Sequence, residues 1–236
     1  MKRFLLLLFS VYLLYPAHAA GFGTHQLNLP TGDIIITGPE LYIYHRFYGP
    51  IDNQALKTNF GTDLGANVNV GFGLPLNDQI EVSLFRSVLD SSYQIATKFK
   101  FSEKSALFLA GVEKTANGVT RNIANGIIGS TFAFPIRALT LGIAPSIVIA
   151  DTTAYTVGLT VNLPIKENLE SIIEYVPLLG NQNNRYPVFS AGIKYQIAVH
   201  YFTLMLTNTD YFTWNEVIRG SIDNIMHLGF NIVVMF

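Results

Sequence analysis

Glu81, Glu170 and Glu174 oppose Lys98, Lys100 and Lys194 in sign, and all six fall on the polar side of segments that alternate polar and apolar residues. Period-two alternation sends successive side chains to opposite faces of a strand, so these charges share one face. Acidic and basic groups facing an enclosed lumen do one of two things. They pair and lock the barrel shut, or they line a water channel and set its charge preference. His227 and Asn231 fall on the same predicted face, with Asn67, Asn69, Gln94 and Gln196.

Other chemistry finds less support. His45 and Arg46 are adjacent at the predicted outer rim, where arginine suits a phosphate of lipopolysaccharide or holds the first long loop by hydrogen bonds. A lipid hydrolase would need a Ser–His pair on the lipid side. No G-x-S-x-G elbow occurs, and alternation turns His227 inward while His200 sits at the inner end of its strand, so no catalytic residues are assigned and the chain is read as a non-enzyme. The histidines at 18, 25, 45, 200 and 227 are scattered without metal-ligand spacing. The Gly71 and Gly73 pair lacks the third glycine and the helix of a dinucleotide site. Neither a metal nor any other cofactor is expected.

The elements that must position these groups are strands. Segments bounded by Gly, Pro, Asn and Asp are predicted near 40–47, 65–74, 79–86, 92–101, 104–112, 123–134, 138–149, 153–162, 168–176, 187–197, 199–207 and 224–236, about twelve in all. Val68, Val70, Phe72 and Leu74 alternate with Asn67, Asn69, Gly71 and Gly73, and Phe189, Ala191, Ile193 and Tyr195 with Ser190, Gly192 and Lys194. Tight turns are predicted at 75–78, 101–104, 135–137, 164–167 and around Ala198. Longer links at 48–64, 113–122, 177–186 and 208–223 fall between them, though 87–91 and 150–152 are short. Short turns at one end and longer loops at the other are the pattern of bacterial membrane barrels.

Composition agrees. Charged residues make up 13% of the chain and apolar ones 50%, where soluble domains average about a quarter charged. A net charge of −1 gives no reason to expect nucleic acid, and the absence of cysteine excludes disulfides and thiolate metal sites. Lys2 and Arg3, the apolar run 4–15 and Ala17-His18-Ala19 read as a cleaved secretory signal. Tyr42, Tyr93, Phe101, Phe134, Tyr175, Phe189, Trp214 and Phe236 lie near strand ends and suit interfacial girdles.

Several short motifs add a resemblance. His45-Arg46-Phe47 with Gly49-Pro50-Ile51, Gly71-Phe72-Gly73, the turn Leu76-Asn77-Asp78, Arg86-Ser87, Lys98-Phe99-Lys100 and Glu174-Tyr175 occur in that order. His200-Tyr201-Phe202-Thr203-Leu204, Thr207-Asn208-Thr209 and Gly229-Phe230-Asn231-Ile232 follow. Together they resemble an uncharacterised family of bacterial outer-membrane β-barrels with H-R-F-G and C-terminal G-F-N-I…F motifs. Tyr48 is an extra residue within the first motif. The resemblance implies fold and location and carries no activity.

The sequence thus predicts an all-β antiparallel transmembrane barrel of about twelve strands. A signal peptide is expected over 1–19, a periplasmic lead-in with a short strand at 33–37 over 20–38, and the barrel over 39–236. The bacterial outer membrane is the expected location, with outer-membrane lipid and the assembly machinery as partners. Phe230, Ile232, Val234 and the terminal Phe236 form the expected insertion signal. The leading functional expectation is a narrow passive channel for small polar solutes. The alternatives are a closed structural or binding barrel acting through its outer loops, and an outer-membrane lipid hydrolase.

Overall fold

A computed structural model describes residues 27–31, 38–51, 59–88, 91–102, 105–116, 119–136, 139–180 and 184–236, without the side chains of 59, 61 and 113–125. The expected signal peptide and the short strand at 33–37 lie outside the described residues.

The wall begins with β1 (Glu40–Pro50), β2 (Ala66–Asn77), β3 (Ile80–Ser87), β4 (Ser92–Ser102), β5 (Ser105–Ala116) and β6 (Val119–Ile136). It continues with β7 (Leu139–Ile149), β8 (Ala154–Lys166), β9 (Leu169–Val176), β10 (Val188–Ile197), β11 (His200–Thr207) and β12 (His227–Met235). Each strand pairs antiparallel with its sequence neighbours, and β1 also pairs with β12, so the sheet closes and leaves no edge. Closure matters in lipid because an open edge would strand backbone polar groups in hydrocarbon. Among the described residues, no helix is long and apolar enough to cross a membrane.

The outward face is greasy. Val70, Phe72 and Leu74 of β2, Ile193, Tyr195 and Ile197 of β10 and Phe202, Leu204 and Leu206 of β11 are all exposed. Their alternates on the same strands point inward and are largely buried, many of them polar. A soluble barrel would reverse this arrangement.

Two expectations change. The predicted link at 113–122 is mostly paired strand, reaching Ala116↔Val119. Glu113, Lys114, Thr120 and Arg121 carry no apolar alternation that marks this ladder in the sequence. Tyr42 and Trp214, expected in the girdles, are buried inside the barrel. Tyr42 shares parity with Tyr44 and Arg46, whereas Leu41, Ile43 and His45 take the other face.

Candidate functional site: the filled lumen

The inward charges meet on neighbouring strands. Glu81 of β3 lies directly opposite Lys98 of β4, with Oε2 and Nζ 3.6 Å apart. Glu170 of β9 lies directly opposite Lys194 of β10, again at 3.6 Å. All four side chains are buried. Directly opposed residues of opposite sign are the sheet's ordinary pairing unit, and here the pairing neutralises charges enclosed by the wall. Lys100 lies opposite Ala106 near the short-turn end of β4, half-buried and apart from those pairs.

Glu174 and Arg46 do something different, because their partners come from outside the wall. Residues 27–31, which fall within the expected lead-in at 20–38, run through the lumen. The Glu174 carboxylate accepts from the backbone N–H of Asn28 at 3.2 Å, that of Leu29 at 3.0 Å and Asn28 Nδ2 at 2.8 Å. Arg46 donates from Nη2 to Leu27 O at 3.2 Å and Asn28 Oδ1 at 3.1 Å, and from Nη1 to Asn231 Oδ1 at 2.8 Å. Asn231 Nδ2 donates to the same Leu27 carbonyl at 3.3 Å, and Asn28 Nδ2 to Ser190 Oγ at 2.8 Å. An acceptor wall residue and a donor wall residue stand where an extended backbone offers two N–H groups and a carbonyl.

The wall is also shaped for the segment's side chains. Leu27 packs with Ile172 and Met205, beside Gly192, where an added Cβ would come 3.1 Å from Leu27 Cδ2. Leu29 packs with Ala144, Val176 and Val188, and a Cβ at Gly158 would run into its Cδ1. Burying two leucines contributes about 3–6 kcal/mol. Ordering residues 27–31 costs about 5–10 kcal/mol. Apolar seating alone therefore does not hold the segment, and the bonds to Glu174 and Arg46 decide its position.

The last long connection folds into the long-loop end of the barrel. It carries helix α1 (Trp214–Arg219), begun by Thr213, whose side chain accepts from Glu216 N at 3.4 Å. Gly220 ends it at φ 92°, a conformation that favours glycine. Trp214 N donates to Gln94 Oε1 at 2.8 Å, and its ring meets Phe108 edge-on at 4.7 Å. Phe212 lies 6.2 Å from Tyr44, with the Arg46 guanidinium 4.8 Å above its ring. Rim bonds complete the cap: Arg219 to Thr152, Arg185 to Glu216 at 3.2 Å, and Asn67 Nδ2 to Asp210 O at 2.7 Å. Burial pushes the Asp210 carboxyl above its ordinary value, with His227 pulling against it and Asp223 adding to it.

Segment and cap meet, since Val217 of α1 joins the apolar cluster around Leu29. A cavity of about 20 Å³ lies between them, bordered by Tyr44, Arg46, Asn69, Phe85 and Phe212. Its polarity and size suit a single water.

The remaining predicted residues separate. Arg46, expected at the outer rim, is fully buried in the lumen. His45 faces outward, stacked on Phe230 at 4.3 Å. His227 points inward at the long-loop end, its Nδ1 3.0 Å from Phe47 O. His200 stands at the opposite end, its Nδ1 accepting from Met235 N at 3.3 Å. The two histidines are not brought together. Phe230, Ile232 and Val234 lie on the outward face of β12, and Phe236 is 70% exposed beyond it. Residues 27–31 and the inward tyrosines went unnoticed in the sequence reading. The available signals were Leu27-x-Leu29 ahead of Pro30, and the shared parity of Tyr42, Tyr44 and Arg46.

Residues 137–236 match the model of a family described as a membrane bound beta barrel domain, DUF5777. No curated protein is significantly similar. Among solved structures, LpxR from Salmonella typhimurium is similar at a TM-score of 0.50 and 12% identity, covering 84% of this chain and 100% of that one. Omp33 of Acinetobacter baumannii is similar at 0.49 and 10%, covering 84% and 98%. A Rhodopseudomonas blastica porin mutant follows at 0.38 and 12%, covering 72% and 55%. The family match and the fold agree with the resemblance to an uncharacterised outer-membrane barrel family. The chain folds as a closed β-barrel of twelve antiparallel strands, and residues 137–236 match a membrane-bound barrel domain.

Proposed function

We propose that this protein is a closed, non-enzymatic barrel of the bacterial outer membrane that presents its long-loop end to the exterior. One observation carries the reading. Glu81, Lys98, Glu170 and Lys194 pair within the wall, while Glu174 and Arg46 are satisfied by residues 27–31. A water-filled channel would leave such groups hydrated and spaced along a path. Here they are buried, and residues 27–31 lie between Glu174 and Arg46.

The outer end is then the working surface. Its connections at 51–65, 177–187 and 208–226 are the long ones, and the last folds down as a cap rather than standing clear of the mouth. We further propose that Phe230, Ile232, Val234 and Phe236 are read by the assembly machinery during insertion. Phe236→Ser should slow insertion, and unchanged assembly of that variant would remove the assignment.

Planar-bilayer recording of the refolded protein tests the closed state. Silence from a demonstrably inserted barrel is the expected result. Stable conductance steps whose ion selectivity shifts in a Lys98→Glu/Lys194→Glu double variant would establish an open lumen instead.

A further inference from the structure

We infer that residues 27–31 are a displaceable plug, and that their withdrawal turns the closed barrel into a passive pore for small polar solutes. The inference rests on the closed-barrel reading and adds an activity to it.

Three independent features support it. First, the hydrogen bonds from Asn28, Leu29 and Leu27 end on the side chains Glu174, Arg46, Ser190 and Asn231. These bonds end on side chains, and Pro30 adds only a single β-bridge, so they can be exchanged for water without unpairing a wall strand. Wall strands leave only by unpairing from two neighbours.

Second, what the segment would leave behind is polar. Arg46, Glu174, Ser190 and Asn231 would face water together, and Gly158 and Gly192 would leave open the room that the two leucines now fill. Opposite signs at Arg46 and Glu174 give such a pore no strong preference for either ion charge. Small neutral or zwitterionic solutes suit it best.

Third, the plug supports the cap. Val217 of α1 rests in the cluster that holds Leu29, so withdrawal removes part of the floor beneath α1. The direction of withdrawal follows from the tether. Pro39 O accepts from Phe236 N at 3.0 Å, which fixes the chain at the short-turn end just before β1. The segment can move only as far as the chain between that anchor and residue 31 allows.

The test uses full-length protein in planar bilayers, with folding checked by the mobility shift on boiling. Leu27→Asp/Leu29→Asp should give steps on the order of a hundred times more frequent than the wild type, because both apolar seats are lost. The chain has no cysteine of its own, so Asn28→Cys/Ser190→Cys on that background can be joined by a cleavable thiol cross-linker. Cross-linking should silence the pore, and cleavage should restore it. A folded Leu27→Asp/Leu29→Asp barrel that stays silent overturns the plug, as does conductance indifferent to the cross-link. Steps already present in the wild type and abolished by an Asn28→Cys/Ser190→Cys cross-link would support the plug while overturning the closed resting state.

Discussion

Among the described residues, two pieces of chain fill the lumen, and they are held in unlike ways. Residues 27–31 are keyed by charge, with two backbone N–H groups on the Glu174 carboxylate and a carbonyl shared by Arg46 and Asn231. The 208–226 cap is keyed by packing. Trp214 sits edge-on against Phe108, and α1 contributes Val217 and Ile218 to apolar clusters. The difference teaches which perturbation each obeys. Removing volume should loosen the cap, and removing a charge should loosen the segment.

The largest effect is expected from Trp214→Ala. Deleting a buried aromatic from a packed site costs about 3–5 kcal/mol, and here the loss falls on the cap. Proteolytic cutting within 208–226 should accelerate strongly, while a thiol at position 28 stays protected. Equal loosening of both would show that the two fillings act as one unit.

Next comes Glu174→Gln, which keeps the shape and removes the charge. Hydrogen bonds to charged groups are worth about 1.5–3 kcal/mol each. Exchange of the Asn28 and Leu29 amides should speed up by roughly 10- to 100-fold. Unchanged exchange would mean that the leucine seats, not the carboxylate, position the segment.

Thr213→Ala removes the cap of α1 and should destabilise the folded-in loop by about 1 kcal/mol. Trp214 is the single tryptophan of the chain, so its fluorescence quenching reports this without a label. The smallest effect is a pH response. Burial raises the Asp210 carboxyl when the loop is folded in, so protonation favours that state. The stabilisation is complete below the ordinary carboxylate value and fades as pH climbs through the raised one. Quenching of Trp214 should increase across that window and flatten in Asp210→Asn. A flat profile in the wild type would detach Asp210 from the cap.

The wall was legible because lipid imposes a strict period. Phe189, Ile193 and Tyr195 against Ser190 and Lys194 announce both the strand and its greasy side. Glu81, Lys98, Glu170 and Lys194 were readable as inward charges, although their pairing needed the register, which alternation does not supply. The fillings were illegible for a related reason. Residues 27–31 and 208–226 join the sheet only through single bridges at Pro30 and Ser221 and carry no strand period, and their positions depend on wall groups far away in sequence. Tyr42 and Trp214 misled because an aromatic near a strand end suits a lipid girdle and a packed lumen equally well. Arg46 was displaced from the rim to the interior by the same ambiguity, since the partners that make its burial tolerable lie at Leu27, Asn28 and Asn231.

Occupation of the lumen by residues 27–31 is the central claim, and thiol accessibility in open outer-membrane fragments, where the short-turn side is reachable, tests it most directly. Asn28→Cys and Leu76→Cys are labelled in parallel with a membrane-impermeant reagent supplied from the short-turn side, since Leu76 is exposed at a tight turn there. Strong labelling at position 76 with protection at 28 is the predicted result. Equal labelling of the two positions would contradict it, leaving the barrel without the segment that closes it.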